Sequence, residues 1–103
     1  MTRMDIAEVA RHATSLDGVR QQDCQGVPSW YVDNRLVARQ EDHKTLLIRA
    51  DFDDRERPLE AHPETFTVPP RIEGHQKVLA DLPGGDASAI RRAITQAWEL
   101  QRG

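Results

Sequence analysis

The sequence predicts a single small α+β domain, an antiparallel sheet packed against an N-terminal and a C-terminal helix. Three observations carry this. Apolar residues recur at helical spacing at both ends, they alternate at strand spacing in the middle, and 103 residues suffice for one modest core. No repeat, low-complexity tract or composition shift divides the chain, so residues 1–103 are read as one domain.

At the N-terminus, Ile6, Val9, Ala10, Ala13 and Leu16 fall on one face of a helix. Thr2 and Asp5 have capping-box spacing, with Asp in place of the usual Glu or Gln. Gly18, after "SLD", supplies the left-handed residue that ends such a helix. A polar link containing Cys24 follows.

The stretch "PSWYVDNRLVAR" then reads as a hairpin around Asp33-Asn34, because Asn tolerates positive φ. A second two-residue turn at Glu41-Asp42 leads into "HKTLLIRA". On that reading Val32 faces Arg35, Trp30 faces Val37, Arg39 faces Lys44 and Val37 faces Leu46. Strand alternation puts Trp30, Val32, Val37, Leu46 and Ile48 on one face, with Arg35, Arg39 and Lys44 toward its edges. Tyr31, Leu36, Ala38, Thr45, Leu47 and Arg49 take the other. The first face is the expected core.

"DFDDRERPLEAHP" predicts a short acidic helix that either stops before Pro58 or begins near it, since an interior proline costs about 3 kcal/mol. "TFTV" is a brief strand ended by Pro69-Pro70, and "HQKVLADL" is the next. Asp86 caps the last helix, whose stripe is Ile90, Ala93, Ile94, Ala97 and Trp98. The expected order is α-β-β-β-α-β-β-α. Trp30 and Trp98 both fall on apolar faces and read as packing anchors.

Composition excludes several function classes. The net charge of −3 weighs against non-specific nucleic-acid binding, although the basic residues are twelve Arg against Lys44 and Lys77. His12, His43, His62 and His75 share no metal-ligand spacing, and "DFDD" lacks the Gly and Glu of a calcium loop, so no metal is expected. Ser15, Ser29 and Ser88 lie outside any Gly-x-Ser-x-Gly turn, and Cys24 sits beside Asp23, whose charge raises a thiol pKa. "PGGDAS" reads as a strand-to-helix turn; Asp86 would repel an anion there. These features predict no catalytic residues, no enzyme activity and no cofactor. A single cysteine, an N-terminal helix with acids from Asp5 onward and no long apolar run predict a cytoplasmic chain without a membrane partner.

The chain resembles the MmcQ/YjbR family along most of its length. The resemblance rests on "R…ATSLDGV", on "GVPSWYVDNRLVAR" with its Gly-x-Pro-x-aromatic-x-Val pattern, on "HPETFTVPP", and on "GHQKVLADL" before an Ala-Trp helix. Val37 stands where the family usually has an aromatic, and Arg35 where Lys is common. The resemblance implies a CyaY-like, secretion-chaperone-like α+β fold and DNA binding through a double-wing hairpin. In this sequence the DNA-contacting residues would be Arg35, Arg39, Lys44, Arg49 and Tyr31, and the partner double-stranded DNA. Across residues 28–49 the four bases are set against Asp33, Glu41 and Asp42, a local net of only +1, which also reads as solvated strand-edge charge that keeps the sheet soluble. The alternative is a protein–protein adaptor or self-dimer that uses Tyr31, Leu36 and Leu47 on the second sheet face.

Overall fold

Helix α1 (Ile6–Ser15) leads into strands β1 (Arg20–Cys24), β2 (Val27–Val32), β3 (Arg35–Gln40) and β4 (Thr45–Arg49) in the computed structural model, which describes residues 4–24 and 26–102. Helix α2 (Phe52–Ala61), the two-residue β5 (Phe66–Thr67), a 3-10 turn (Pro70–Ile72), β6 (Lys77–Asp81) and α3 (Ala87–Gln101) complete the domain. The strands form one antiparallel sheet in the order β1-β2-β3-β4-β6-β5. The α+β class and the flanking helices are as expected, with one strand more. Residues 20–24, read as a link, pair with β2 as an edge strand. "RQQDC" carries no apolar alternation because it covers none of the core. Its hold is the backbone ladder, helped by Gln21, whose Oε1 accepts the Trp30 indole N–H at 3.1 Å.

The β2–β3 turn forms as predicted, with φ of 52° at Asp33 and 64° at Asn34 and Val32 opposite Arg35. Beyond it the expected register fails. Tyr31 faces Leu36, but Trp30 faces Ala38, so Val37 is an extra, bulged residue. Ala38 therefore moves to the core side, where it is fully buried. The β3–β4 connection is also longer than two residues. Gln40 pairs with Leu46, and the Glu41 N–H reaches the Thr45 carbonyl at 2.9 Å. Inside this loop Asp42 Oδ1 accepts the Lys44 N–H at 2.8 Å, a local turn that competes with tighter closure. Arg39 consequently faces Leu47, not Lys44.

The main core lies between the sheet and helices α1 and α3. Trp30, Val37, Leu46, Ile48, Phe66, Ile90 and Ile94 are all buried in it, and Val32 joins them. On the opposite, outer side a smaller cluster joins Leu47, Leu79 and Ile72, with Leu36 and Val68 against it. The 3-10 turn thus covers part of the sheet's second face.

Capping fixes the helix starts. Asp5 is itself the α1 cap, its Oδ1 accepting the Glu8 N–H at 2.8 Å, so the capping pair is Asp5 and Glu8; Thr2 lies outside the described residues. Gly18 ends the following turn at φ 78°. Asp86 caps α3 through the Ala89 N–H at 2.9 Å, and Ile90, Ile94 and Ala97 are buried along its stripe. Helix α2 corrects the expectation for Pro58, which lies inside ten helical residues. Its missing N–H leaves only the Asp54 carbonyl without a helical donor. The helix buries none of its residues, while its start is held by Asp51 and its end by the His62 N–H on the Pro58 carbonyl at 2.8 Å.

His12 ties α1 to α3. Its Nε2 lies 3.1 Å from the Arg91 carbonyl and 2.9 Å from Thr95 Oγ1. Burial holds its pKa below the ordinary value; the Arg91 carbonyl opposes that and the Arg91 charge adds to it. The unfolded chain therefore binds more protons than the folded one just below pH 6.5, and stability contributed by neutral His12 declines as pH falls through that window. The urea midpoint should drop between pH 7.5 and 5.5, and His12→Gln should flatten that drop; an equally steep drop in the variant would refute the assignment.

Candidate nucleic-acid interface

Strand alternation decides which side chains share the outer face. Tyr31 is adjacent to buried Trp30, and Arg49 to buried Ile48, so both project away from the helices. Arg20 pairs with Tyr31, Tyr31 with Leu36, and Arg49 with Lys77. The β3–β4 ladder ends at Ala38–Ile48, and just beyond it, across the bulge, the row Arg20, Tyr31 and Leu36 is continued on the same face by Arg49 on β4 and Lys77 on β6. At roughly 4.8 Å per strand it spans about 19 Å, close to the rise of five or six nucleotides at about 3.4 Å each. Arg39, opposite Leu47, stands one step along the same face.

The electrostatics of this face differ from those of the chain as a whole. Five bases lie on it or at its rim: Arg20, Arg39, Arg49, Lys77 and Arg71. Glu41, at 3.8 Å from Arg39 and 3.5 Å from Arg71, and Asp81 at the end of β6 are acids on the same side. The first turn of α2, with Asp53 and Asp54, adjoins the start of β6, where Arg55 of the same turn donates to the Lys77 carbonyl at 3.1 Å; Asp54 is raised above the usual carboxylate range by desolvation and by Asp51 and Asp53. Arg49 donates to the Gln76 carbonyl at 3.0 Å, which fixes the direction of its side chain.

The residues expected to contact DNA are divided. Arg39, Arg49 and Tyr31 share the outer face. Arg35 does not: it opposes core-side Val32, and its guanidinium donates to the Gln101 carbonyl at the end of α3 at 3.2 Å. Lys44 sits in the β3–β4 loop beside Asp42, whose carboxyl is held below its ordinary range chiefly by the Lys44 backbone N–H. The hairpin's bases thus do not form one wing surface. Of the residues assigned to a protein interface, Tyr31 and Leu36 are part-exposed, but Leu47 is only 1% exposed because Ile72 and Leu79 pack with it.

Sequence reasoning missed Arg20 and Lys77. Arg20 was assigned to a link, and Lys77 joins the face only through the pairing of β6 with β4. It also missed Arg55, which donates to the His75 and Glu73 carbonyls at 2.7 Å each and to the Lys77 carbonyl at 3.1 Å. That guanidinium holds the segment from the 3-10 turn into β6 and so supports the end of the basic row. Of the serines, Ser29 is fully buried with no partner for its hydroxyl among the described residues, Ser15 donates to the His12 carbonyl at 2.6 Å, and Ser88 is exposed in the first turn of α3. Among the described residues no cluster of His, Cys, Asp or Glu is placed to hold a metal, and no helix is long and apolar enough to cross a membrane. No family model, curated protein or solved structure matches the chain.

Proposed function

We propose that the chain is a non-enzymatic binding domain of the MmcQ/YjbR type that holds the DNA backbone against the outer face of its sheet. The observation that supports this is the row Arg20, Tyr31, Arg49 and Lys77, with Arg39 beside it, which concentrates bases on one face of a chain whose net charge is −3. Arg and Lys at strand spacing offer donors to successive phosphates, and Tyr31 offers a ring among them. On this reading the hairpin contributes Arg39, Arg49 and Tyr31, whereas Arg35 and Lys44 are structural or solvated.

Fluorescence anisotropy with a labelled duplex tests it at about 50 and 200 mM salt. Binding should weaken steeply with salt, and each phosphate contact removed should lower the logarithmic salt slope by about 0.9. Arg49→Ala and Lys77→Ala together should flatten that slope and weaken binding, whereas Arg35→Ala and Lys44→Ala should leave both unchanged. No binding at the lower salt would overturn the proposal. So would equal losses from the two pairs of variants.

A further inference from the structure

On the far side of the core from the basic row, α2 and α3 enclose a groove of about 570 Å³. Helix α2 has no fully buried residue; it meets the core through the part-buried Leu59 and packs toward β5 and β6. Small residues leave the space open: Ala61 and Pro58 on α2, Ala89 and Ala93 on α3. Each helix also contributes one arginine to the lining, Arg57 and Arg92.

These two arginines differ from most others in the chain. Arg55, Arg49 and Arg35 are spent on backbone carbonyls, and Arg11, Arg39 and Arg71 lie beside carboxylates. Neither Arg57 nor Arg92 has a hydrogen-bond or ion-pair partner among the described residues. Arg57 senses Asp54, and Arg92 senses Asp86, only through space. Glu99 is the one acid in the lining, and His62 lies at the same end as Arg92. A volume in the range of small-ligand sites, apolar walls and two uncommitted guanidinium groups are complementary to one kind of molecule.

We propose that this groove binds a small amphiphilic anion, a carboxylate, sulfonate or phosphate carried on an apolar body. The anionic head lies between Arg57 and Arg92, and the apolar body lies along Ala61, Ala89 and Ala93. The site is separate from the sheet's outer face and does not depend on DNA binding.

The probe is 8-anilinonaphthalene-1-sulfonate, an aromatic sulfonate whose fluorescence rises on leaving water, added to the natively folded full chain. One equivalent should bind with a Kd on the order of tens of micromolar, as expected for a ligand of about twenty heavy atoms. Arg57→Gln combined with Arg92→Gln should weaken it at least tenfold, and Ala61→Trp should block it by filling the groove at an exposed α2 position. Arg11→Gln, on α1, should leave it unchanged. Decanoate and decyl phosphate should displace the dye, and their relative strengths distinguish a carboxylate from a phosphate preference. Circular dichroism and the thermal midpoint establish that each variant is folded. Unaltered dye affinity in the folded arginine double variant would overturn the proposal, as would equally tight binding of uncharged N-phenyl-1-naphthylamine.

Discussion

Trp30→Ala should remove about 3–5 kcal/mol of stability, the largest single loss expected in this chain. Trp30, on β2 next to the edge strand, is fully buried in the cluster that joins helices α1 and α3 to β3, β4 and β6. Deleting the indole removes its transfer free energy and leaves a cavity that strands on both sides cannot close. It also strands Gln21, which receives the indole N–H, and so loosens the edge strand β1. Against a domain stability of about 5–15 kcal/mol, this loss approaches unfolding. Urea unfolding followed by circular dichroism would report it as a large fall in midpoint. Trp98 supplies the contrast. It is only partly buried, donates its indole N–H to the Asp17 carbonyl at 2.8 Å, and lies under the Arg102 guanidinium at 4.1 Å. Trp98→Ala should therefore cost clearly less. Equal losses would mean that full burial of Trp30 between sheet and helices is not what sets its contribution.

The same residues show what could be read from the sequence and what could not. Helix faces were legible because their apolar periodicity reports burial directly, as Val9, Ala13, Ile90, Ile94 and Ala97 illustrate. The Asp33-Asn34 turn was legible because few residue pairs accept positive φ twice. Strand β1 was not, since a polar edge strand is held by backbone pairing that leaves no mark on side-chain pattern. The bulge at Val37 was invisible for a related reason: no glycine announces it, and a valine occupies it. Its consequence reaches the candidate interface. One added residue reverses the facing of everything after it, so Arg35 and Arg39 point to opposite sides although they lie four positions apart. Sequence grouped them as one surface; the bulge separates them. Arg20 and Lys77 were beyond local patterning altogether, because strand order, not strand content, brings them into one row.

Gly85→Ala should be the second large loss, and its neighbour Gly84 shows why proximity in sequence does not predict it. A Cβ on Gly85 would run into the Asp81 backbone carbonyl, and would lie 2.9 Å from Thr65 Cγ2 and 3.1 Å from Ile90 Cδ1. None of these can yield cheaply. Asp81 donates its own N–H to the Thr65 carbonyl at 2.8 Å, Thr65 is buried with its hydroxyl accepting the Asp86 N–H at 2.9 Å, and Ile90 is in the core. The glycine is therefore required by close approach. Overpacking of this kind costs about 1–3 kcal/mol, which for a domain of this size lowers Tm by about 4–8 °C per kcal/mol. At Gly84 the added methyl meets Asp81 Oδ2 at 2.6 Å, the end of an exposed side chain that can rotate away. Gly84→Ala should accordingly stay within about 0.5 kcal/mol of the parent. Similar Tm values for the two variants would show that the turn moves as a unit and that the contact does not hold it. The difference also bears on the groove, because Gly85 sets where α3 begins and hence where Ala89 and Arg92 stand. A folded Gly85→Ala protein should bind the sulfonate probe more weakly than Gly84→Ala, since a displaced first turn of α3 carries its arginine away from Arg57.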